Sequence, residues 1–288
     1  MAPVFILCAM RSYSSLISAM LGQHPDLYGL PEINLSVGET LGDVAAFYQR
    51  RAHGLHGLLR TIAQLQAGQQ TEATIAEAKA FLAERHGWST SQMLDWIEAA
   101  VAPRRIVDKS PVAVRSVEMM QRLLRMRPDA QFLHITRQPA AVCRSIDRLH
   151  AEIDAETGSN LRNRVDAEQV WLKCNANIMA FKASLPPGQC MTLQGEALLG
   201  EYDIYAPQLC DWLEIRRDPD ALAAMLHPEE SPFATIGPPN AMYGNDPNFL
   251  KSAAFHPRPI TIEDTEDGVD GRAFQPATRK LARELGYA

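Results

Sequence analysis

Three basic residues stand among hydroxyl and carboxyl neighbours: Arg11 in Arg11-Ser12-Tyr13-Ser14-Ser15, Lys109 in Asp108-Lys109-Ser110-Pro111, and Arg137 in Thr136-Arg137-Gln138-Pro139. A guanidinium or ammonium set beside such hydroxyls offers charge-assisted hydrogen bonds to phosphate or sulfate oxygens. The first cluster runs into a helical pattern, so backbone N–H groups and a positive helix end add to the same anion cradle. It is not the G-x-x-x-x-G-K-[ST] loop of nucleoside triphosphatases. Taken alone, a Ser-rich turn between strand and helix also reads as simple capping. Its meaning depends on whether the other two cations reach the same place.

The elements that carry them predict that they do. Val4 to Cys8 is a continuous apolar run, as in a strand covered on both faces, and Leu16, Ile17, Met20 and Leu21 follow at helical spacing until Gly22 and Pro25. Arg105 to Asp108 reads as a second strand, with a helix face at Ala113, Val117, Met120 and Leu124. Gln131 to Thr136 reads as a third strand, after which Pro139 opens a helix with Val142, Ile146 and Leu149. A helix over Ala167 to Ser184 precedes a fourth strand at Gln189 to Leu193. Such alternation predicts an α/β chain with a mainly parallel central sheet flanked by helices. In open parallel sheets, ligands bind beyond the C-terminal strand ends, where all three cations fall. Between about 41 and 104 the chain is rich in Ala, Gln, Leu and Glu, predicting a helical insertion. Past Asp218 the periodicity fades into loops, apart from a short helix at Pro276 to Leu285.

Composition narrows the classes. The 288 residues predict a single domain over 1–288, and a net charge of −6 argues against nucleic acid or an anionic membrane as partner. An anionic ligand must therefore be met by local positive charge. The five scattered cysteines form no C-x-x-C pair, so the chain predicts neither a disulfide framework nor a thiolate metal site, and a reducing cytoplasm as its location. The run Ala2 to Met10 lacks a basic leader and ends in Arg11, which reads as a buried strand rather than a secretory signal. No stretch reaches the apolar length of a membrane span.

Read together, the three loops resemble those of PAPS-dependent sulfotransferases, which take sulfate from 3′-phosphoadenosine 5′-phosphosulfate (PAPS). Cys8 to Leu16 is similar to the family's 5′-phosphosulfate loop, with Arg11, Ser12, Ser14 and Ser15 in the equivalent places and Tyr13 where glycine is usual. Phe132 to Ile146 resembles the 3′-phosphate segment, in which an Arg and a Ser eight residues later hold the phosphate; Arg137 and Ser145 have that spacing. Val107 to Pro111 resembles a strand end whose lysine lies near the donor's bridging oxygen. Glu168, Trp171, Asn175 and Asn177 resemble the family's Glu-x-x-Trp helix, and Gly244 to Phe249 a Gly-Asp-Pro-Asn-Phe loop with one inserted residue. The pattern is nearest to bacterial sulfotransferases associated with polyketide synthesis.

The resemblance implies a P-loop-like sulfotransferase fold, PAPS as donor, adenosine 3′,5′-bisphosphate as product, and no metal. It implies Arg11, Ser12, Tyr13, Ser14, Ser15, Arg137 and Ser145 as the donor-binding set, with Arg11 and Lys109 on the leaving phosphate. Glu32 follows the first helix at the interval where relatives place a catalytic Glu, and it is the expected base. His53 and His56 are the alternatives, His134 reads as a core residue, and His24-Pro25 as a structural turn. Met10 replaces the usual Pro of the loop, and Asn34 stands where several relatives carry His. Lys251 and Arg258 are candidates for closing over the 3′-phosphate. The expected acceptor is a hydroxyl on a small molecule or carrier-bound biosynthetic intermediate. An amine acceptor and a non-catalytic nucleotide-binding module of the same fold are the competing readings.

Overall fold

The computed structural model describes residues 2–157, 165–255 and 268–287. Strand β1 (Val4–Leu7) leads through a loop into helix α1 (Ser14–Gln23), and strand β2 (Leu27–Gly29) follows at once. Helices α2 (Leu41–Phe47), α3 (His56–Ala67), α4 (Glu72–Glu84) and α5 (Thr90–Val101) then form the crossover to β3 (Arg105–Asp108). The expected helical insertion is thus the connection between two neighbouring parallel strands. Three of its helices start where the sequence places a capping box: Thr40 with Asp43, Thr71 with Thr74, and Ser89 with Gln92.

Beyond β3, helix α6 (Val117–Met126), strand β4 (Gln131–Thr136), helices α7 (Pro139–Thr157) and α8 (Ala167–Lys182), and strand β5 (Cys190–Gln194) complete the layered core. Short helices α9 (Gly195–Gly200), α10 (Tyr202–Leu213), α11 (Pro219–Ala224), α12 (Pro247–Lys251) and α13 (Pro276–Glu284) follow. The region after Asp218 therefore holds two helices, α11 and α12, where loops were expected. Each is only five or six residues long, too short to show a helical period. Ala113 lies in a 3₁₀ turn over Pro111–Arg115 rather than in α6. Among the described residues, no helix is long and apolar enough to cross a membrane.

The sheet has five strands in the order β2-β3-β1-β4-β5, and every pairing is parallel. Strand side chains alternate between two packed faces. Phe5, Leu7, Ile106 and Phe132 join the cluster that includes residues of α3, α5, α6 and α8, while Val4, Ile6, Val107, Leu133 and Ile135 join α1 and α10. Burial on both sides explains why the strands read as unbroken apolar runs. Full burial of each such side chain is worth about 1.5–3 kcal/mol, enough to fix the register and hence the three strand ends.

Strand β2 was not expected from sequence. Its three residues pair with β3 at Leu27–Arg105, Tyr28–Ile106 and Gly29–Val107, and the Leu30 N–H continues the ladder to the Val107 carbonyl at 2.8 Å. Three residues are too few for a period to register, yet this edge strand delivers residues 30–34 to the C-terminal edge of the sheet.

Candidate functional site

The loop between β1 and α1 is shaped by two left-handed residues that are not glycine, Arg11 with φ 67° and Tyr13 with φ 63°. Such conformations cost of order 1–3 kcal/mol each and persist only where surrounding contacts hold them. For Tyr13 those contacts are visible. Its ring carries the Arg137 guanidinium, whose Cζ lies 4.3 Å from the ring centroid. Gly195 leaves space for it: a Cβ there would lie 2.7 Å from Tyr13 Cδ2. The loop thus keeps the backbone shape that glycine usually supplies and gains an aromatic platform for a cation.

Arg137 is fixed from three sides. Its Nη1 donates to the Arg11 carbonyl at 2.6 Å, its own carbonyl accepts from Trp171 Nε1 at 2.8 Å, and the next amide, of Gln138, donates to Glu196 Oε1 at 3.0 Å. Its Nε is buried and has no hydrogen-bond partner among the described residues. Arg11 Nε donates to Ser145 Oγ at 2.9 Å, joining the β1–α1 loop to α7 across 134 residues of sequence, and its Nη1 pairs with the Asp246 carboxylate. These residues, with Ser12, Tyr13, Ser14 and Ser15, line a cavity of about 410 Å³.

Lys109 is wholly buried, and its Nζ donates to Ser15 Oγ at 2.9 Å, to Glu32 Oε1 at 2.9 Å and to the Gly244 carbonyl at 3.4 Å. Glu32 faces a second cavity of about 580 Å³, walled also by Met10, Leu149, Ile236, Met242 and Leu250. Arg11, Ser14, Ser15 and Asp246 line both cavities and form the wall they share. The nine residues expected from sequence, Arg11, Ser12, Tyr13, Ser14, Ser15, Glu32, Lys109, Arg137 and Ser145, all lie on one or both of these cavities or hydrogen-bond directly to a residue that does. A cation chain beside a carboxylate open to a mostly apolar cavity, here Glu32 on Lys109, can neutralise an anion on one side and accept a proton on the other.

Beneath the site, Asp108 is buried, and burial pushes its carboxyl up to about 7 against the hydroxyl of Ser110, which donates to it at 2.9 Å. Ser110 Oγ also accepts the Asn34 N–H at 2.9 Å, and Asn34 Nδ2 reaches the Gly54 carbonyl at 2.9 Å. A carboxyl raised in this way contributes stability that is complete below its unfolded pKa and is lost as the pH rises through about 7. Asp108→Asn, which keeps an acceptor for Ser110, is expected to flatten the fall in melting temperature between pH 5.5 and pH 8. An unchanged slope assigns that fall to other groups.

Other candidates separate. His53 lines the second cavity, whereas the ring of His56 stacks on Tyr243 at 5.7 Å and its Nδ1 accepts the Tyr243 N–H at 3.3 Å. His134 is buried in β4 with Asn175 Oδ1 at 3.0 Å, and burial pulls it down to about 4, as befits a core residue. Both ring nitrogens of His24 serve a turn, toward the Arg216 carbonyl and the Asp26 N–H. Lys251 lies on the second cavity rather than the first: α12 borders both, with Asn248 and Phe249 on the first and Pro247, Leu250 and Lys251 on the second. Arg258 lies outside the described residues. Glu168 Oε1 accepts from the Gln275 amide and Thr278 Oγ1, tying α8 to α13. Among the described residues, no group of three His, Cys, Asp or Glu is placed to hold a metal ion.

Sequence reasoning missed two cations of the first cavity. Arg144 and Arg148 join Ala141 and Ser145 on one face of α7, at i, i+3, i+4 and i+7, a spacing that tracing the helix from Ser145 would have revealed. Asp246 lies in the Gly244 to Phe249 segment that the resemblance singled out, but nothing local ties it to Arg11.

Comparison with known proteins agrees with the fold. Two solved structures share the fold across the whole chain: the sulfotransferase domain from the curacin biosynthetic pathway (TM-score 0.80, 24% identity, covering 100% of this chain and 98% of that one) and the sulfotransferase domain from the Synechococcus PCC 7002 olefin synthase (TM-score 0.77, 24% identity, 100% and 95%). No curated protein matches the chain. The model of the Sulfotransferase family matches residues 3–219, which span the whole parallel sheet, and the chain belongs to that family.

Proposed function

We propose that this chain, acting as one domain over residues 1–288, transfers the sulfuryl group of PAPS to a hydroxyl of a small-molecule or carrier-bound biosynthetic intermediate, in a bacterial cytoplasm. The observation that carries the reading is the shared wall: Lys109 Nζ spans from Ser15, on the cation-rich cavity, to Glu32, on the apolar one, with 2.9 Å to each. The donor supplies a sulfuryl group whose displacement leaves a phosphate. The first cavity fits it: Arg137 and Ser145 both line it, Arg137 Nε is buried with no hydrogen-bond partner among the described residues, and the Ser14–Ser15 helix start faces the same space. Arg11, Ser12, Tyr13, Ser14 and Ser15 would hold the 5′ end, and Arg137 and Ser145 the 3′-phosphate.

On this reading Arg11 and Lys109 stabilise charge on the leaving oxygen, and Glu32 takes the proton of the acceptor. Fixed cations in a site with little water favour developing charge most strongly. The mostly apolar second cavity supports an acceptor with a hydrocarbon body, and the biosynthetic origin of the two domains of like fold supports an intermediate of such a pathway.

The test is thermal stabilisation by adenosine 3′,5′-bisphosphate, followed by sulfate transfer from PAPS to a panel of alcohols and amines. Neither nucleotide raising the melting temperature would remove the proposal. Binding without transfer to any acceptor favours a non-catalytic module, and transfer to amines alone corrects the acceptor. Within this scheme Arg137→Ala is expected to weaken the bisphosphate by about 2 kcal/mol, near thirtyfold, as loss of a charge-assisted phosphate contact requires. Calorimetry showing unchanged affinity takes Arg137 out of the site.

A further inference from the structure

Helix α3 belongs to the insertion, and neither Gly57 nor Arg60 in it lines either cavity. Gly57 is nevertheless pressed against the backbone that carries Glu32, and Arg60 holds the segment to which that backbone bonds. Gly57 is buried, and a Cβ built on it would lie 2.1 Å from the Glu32 carbonyl oxygen and 3.0 Å from the Glu32 nitrogen. Backbone cannot yield to such a contact as a flexible side chain can. On the other side of Gly57 stands Gly244, with φ 116°, where a Cβ would lie 2.7 Å from Gly57 Cα. Gly244 in turn accepts the Glu32 N–H at 2.7 Å and lies 3.4 Å from Lys109 Nζ. Three chain segments distant in sequence thus meet through main chain alone.

Arg60 secures the segment that ends in Gly244. It is 1% exposed, and its three hydrogen bonds among the described residues all go to carbonyl oxygens: Thr235 at 2.9 Å, Tyr243 at 3.2 Å and Gln70 Oε1 at 2.5 Å. Gln70 Nε2 extends the grip to the Pro232 carbonyl at 2.7 Å. A buried cation is costly, and one that gives two of its three hydrogen bonds to the Thr235 and Tyr243 carbonyls helps to define where that loop lies.

We infer that α3 is the positioning scaffold of Glu32, with Gly57 setting the place of its backbone and Arg60 holding the loop whose Gly244 carbonyl anchors its amide. Gly57 and Arg60 are positioning residues, acting through Glu32, and the inference rests on Glu32 being the base. A base must come within hydrogen-bond reach of its proton, and a displacement near 1 Å costs on the order of a hundredfold in rate.

Gly57→Ala tests this through a readout that packing alone would not move. Gly57 is the second residue of α3 and a methyl group there meets Glu32 backbone, so a packing role without positioning predicts a lower melting temperature with unchanged turnover of the folded protein. The scaffold predicts kcat lowered about tenfold or more, with bisphosphate affinity within about threefold of wild type. A second readout needs no activity: amide hydrogen exchange at Glu32 should quicken at least about tenfold, while the Leu30 amide, bonded to Val107, keeps its wild-type rate. Arg60→Met should quicken the same Glu32 amide; should that variant fail to fold, Gly57→Ala still decides. Wild-type turnover in Gly57→Ala overturns the inference, as does an unchanged Glu32 exchange rate. If the wild-type protein transfers no sulfate, the proposed function fails instead, and the exchange rates alone judge the scaffold.

Discussion

Glu32→Gln is expected to bind adenosine 3′,5′-bisphosphate within about threefold of wild type while kcat falls about a thousandfold, the middle of the range for removal of a general base. The glutamine keeps an oxygen for Lys109 Nζ, now 2.9 Å from Glu32 Oε1, so the local hydrogen bond survives while proton acceptance is lost. The side chain of Glu32 is a third exposed, whereas Lys109 is not exposed at all. Part of the effect therefore arises from leaving a buried ammonium beside a neutral amide, and the melting temperature of the variant measures that part separately. Rapid-mix assays with PAPS and the best acceptor of the panel read the chemical step. Activity equal to wild type would send the search to His53, the histidine on the same cavity, and away from His56, whose ring is engaged by Tyr243.

Lys109→Met carries the second large effect. Methionine approximates the length of the lysine and suits a buried position, but it removes the charge between Ser15 and Glu32. Loss of one fixed charge-stabilising donor costs about 10²–10³ in kcat, and the expected loss in bisphosphate affinity is smaller because Arg11 and Arg137 remain. The double variant Glu32→Gln, Lys109→Met should fall far short of the product of the two single losses, since the pair touches directly and acts as a unit. Strict multiplicativity in that cycle would show that the two residues work independently and would dismantle the paired assignment.

The legibility of this protein in its sequence follows burial. Strands β1, β3 and β4 are covered on both faces, so their apolar runs were readable, and with them the strand ends that bear Arg11, Lys109 and Arg137. Glu32 was found through resemblance alone, because the strand that delivers it, β2, has three residues and no pattern. What sequence left unexplained was Tyr13 in a place for glycine. The answer lies in residues far along the chain, Arg137 above the ring and Gly195 beside it, which no local reading joins to Tyr13. The same holds for Asp246, whose link to Arg11 spans 235 residues, and for Gly57, whose missing side chain matters only because Glu32 passes behind it. Sequence periodicity reports which face of an element is buried, not which distant backbone it touches.

The Arg11–Asp246 ion pair sits on the wall between the two cavities, and that location has a thermodynamic consequence. A ligand of the first cavity that draws Arg11 away from Asp246 leaves a bare carboxylate facing the second. The affinity of the second cavity then depends on whether the first is filled, and reciprocity requires the second ligand to change the affinity of the first by the same factor. An uncharged acceptor should feel this coupling little, a cationic one favourably, and an anionic one against it. One ion pair in a partition thus makes occupancy of either chamber a term in the selectivity of the other.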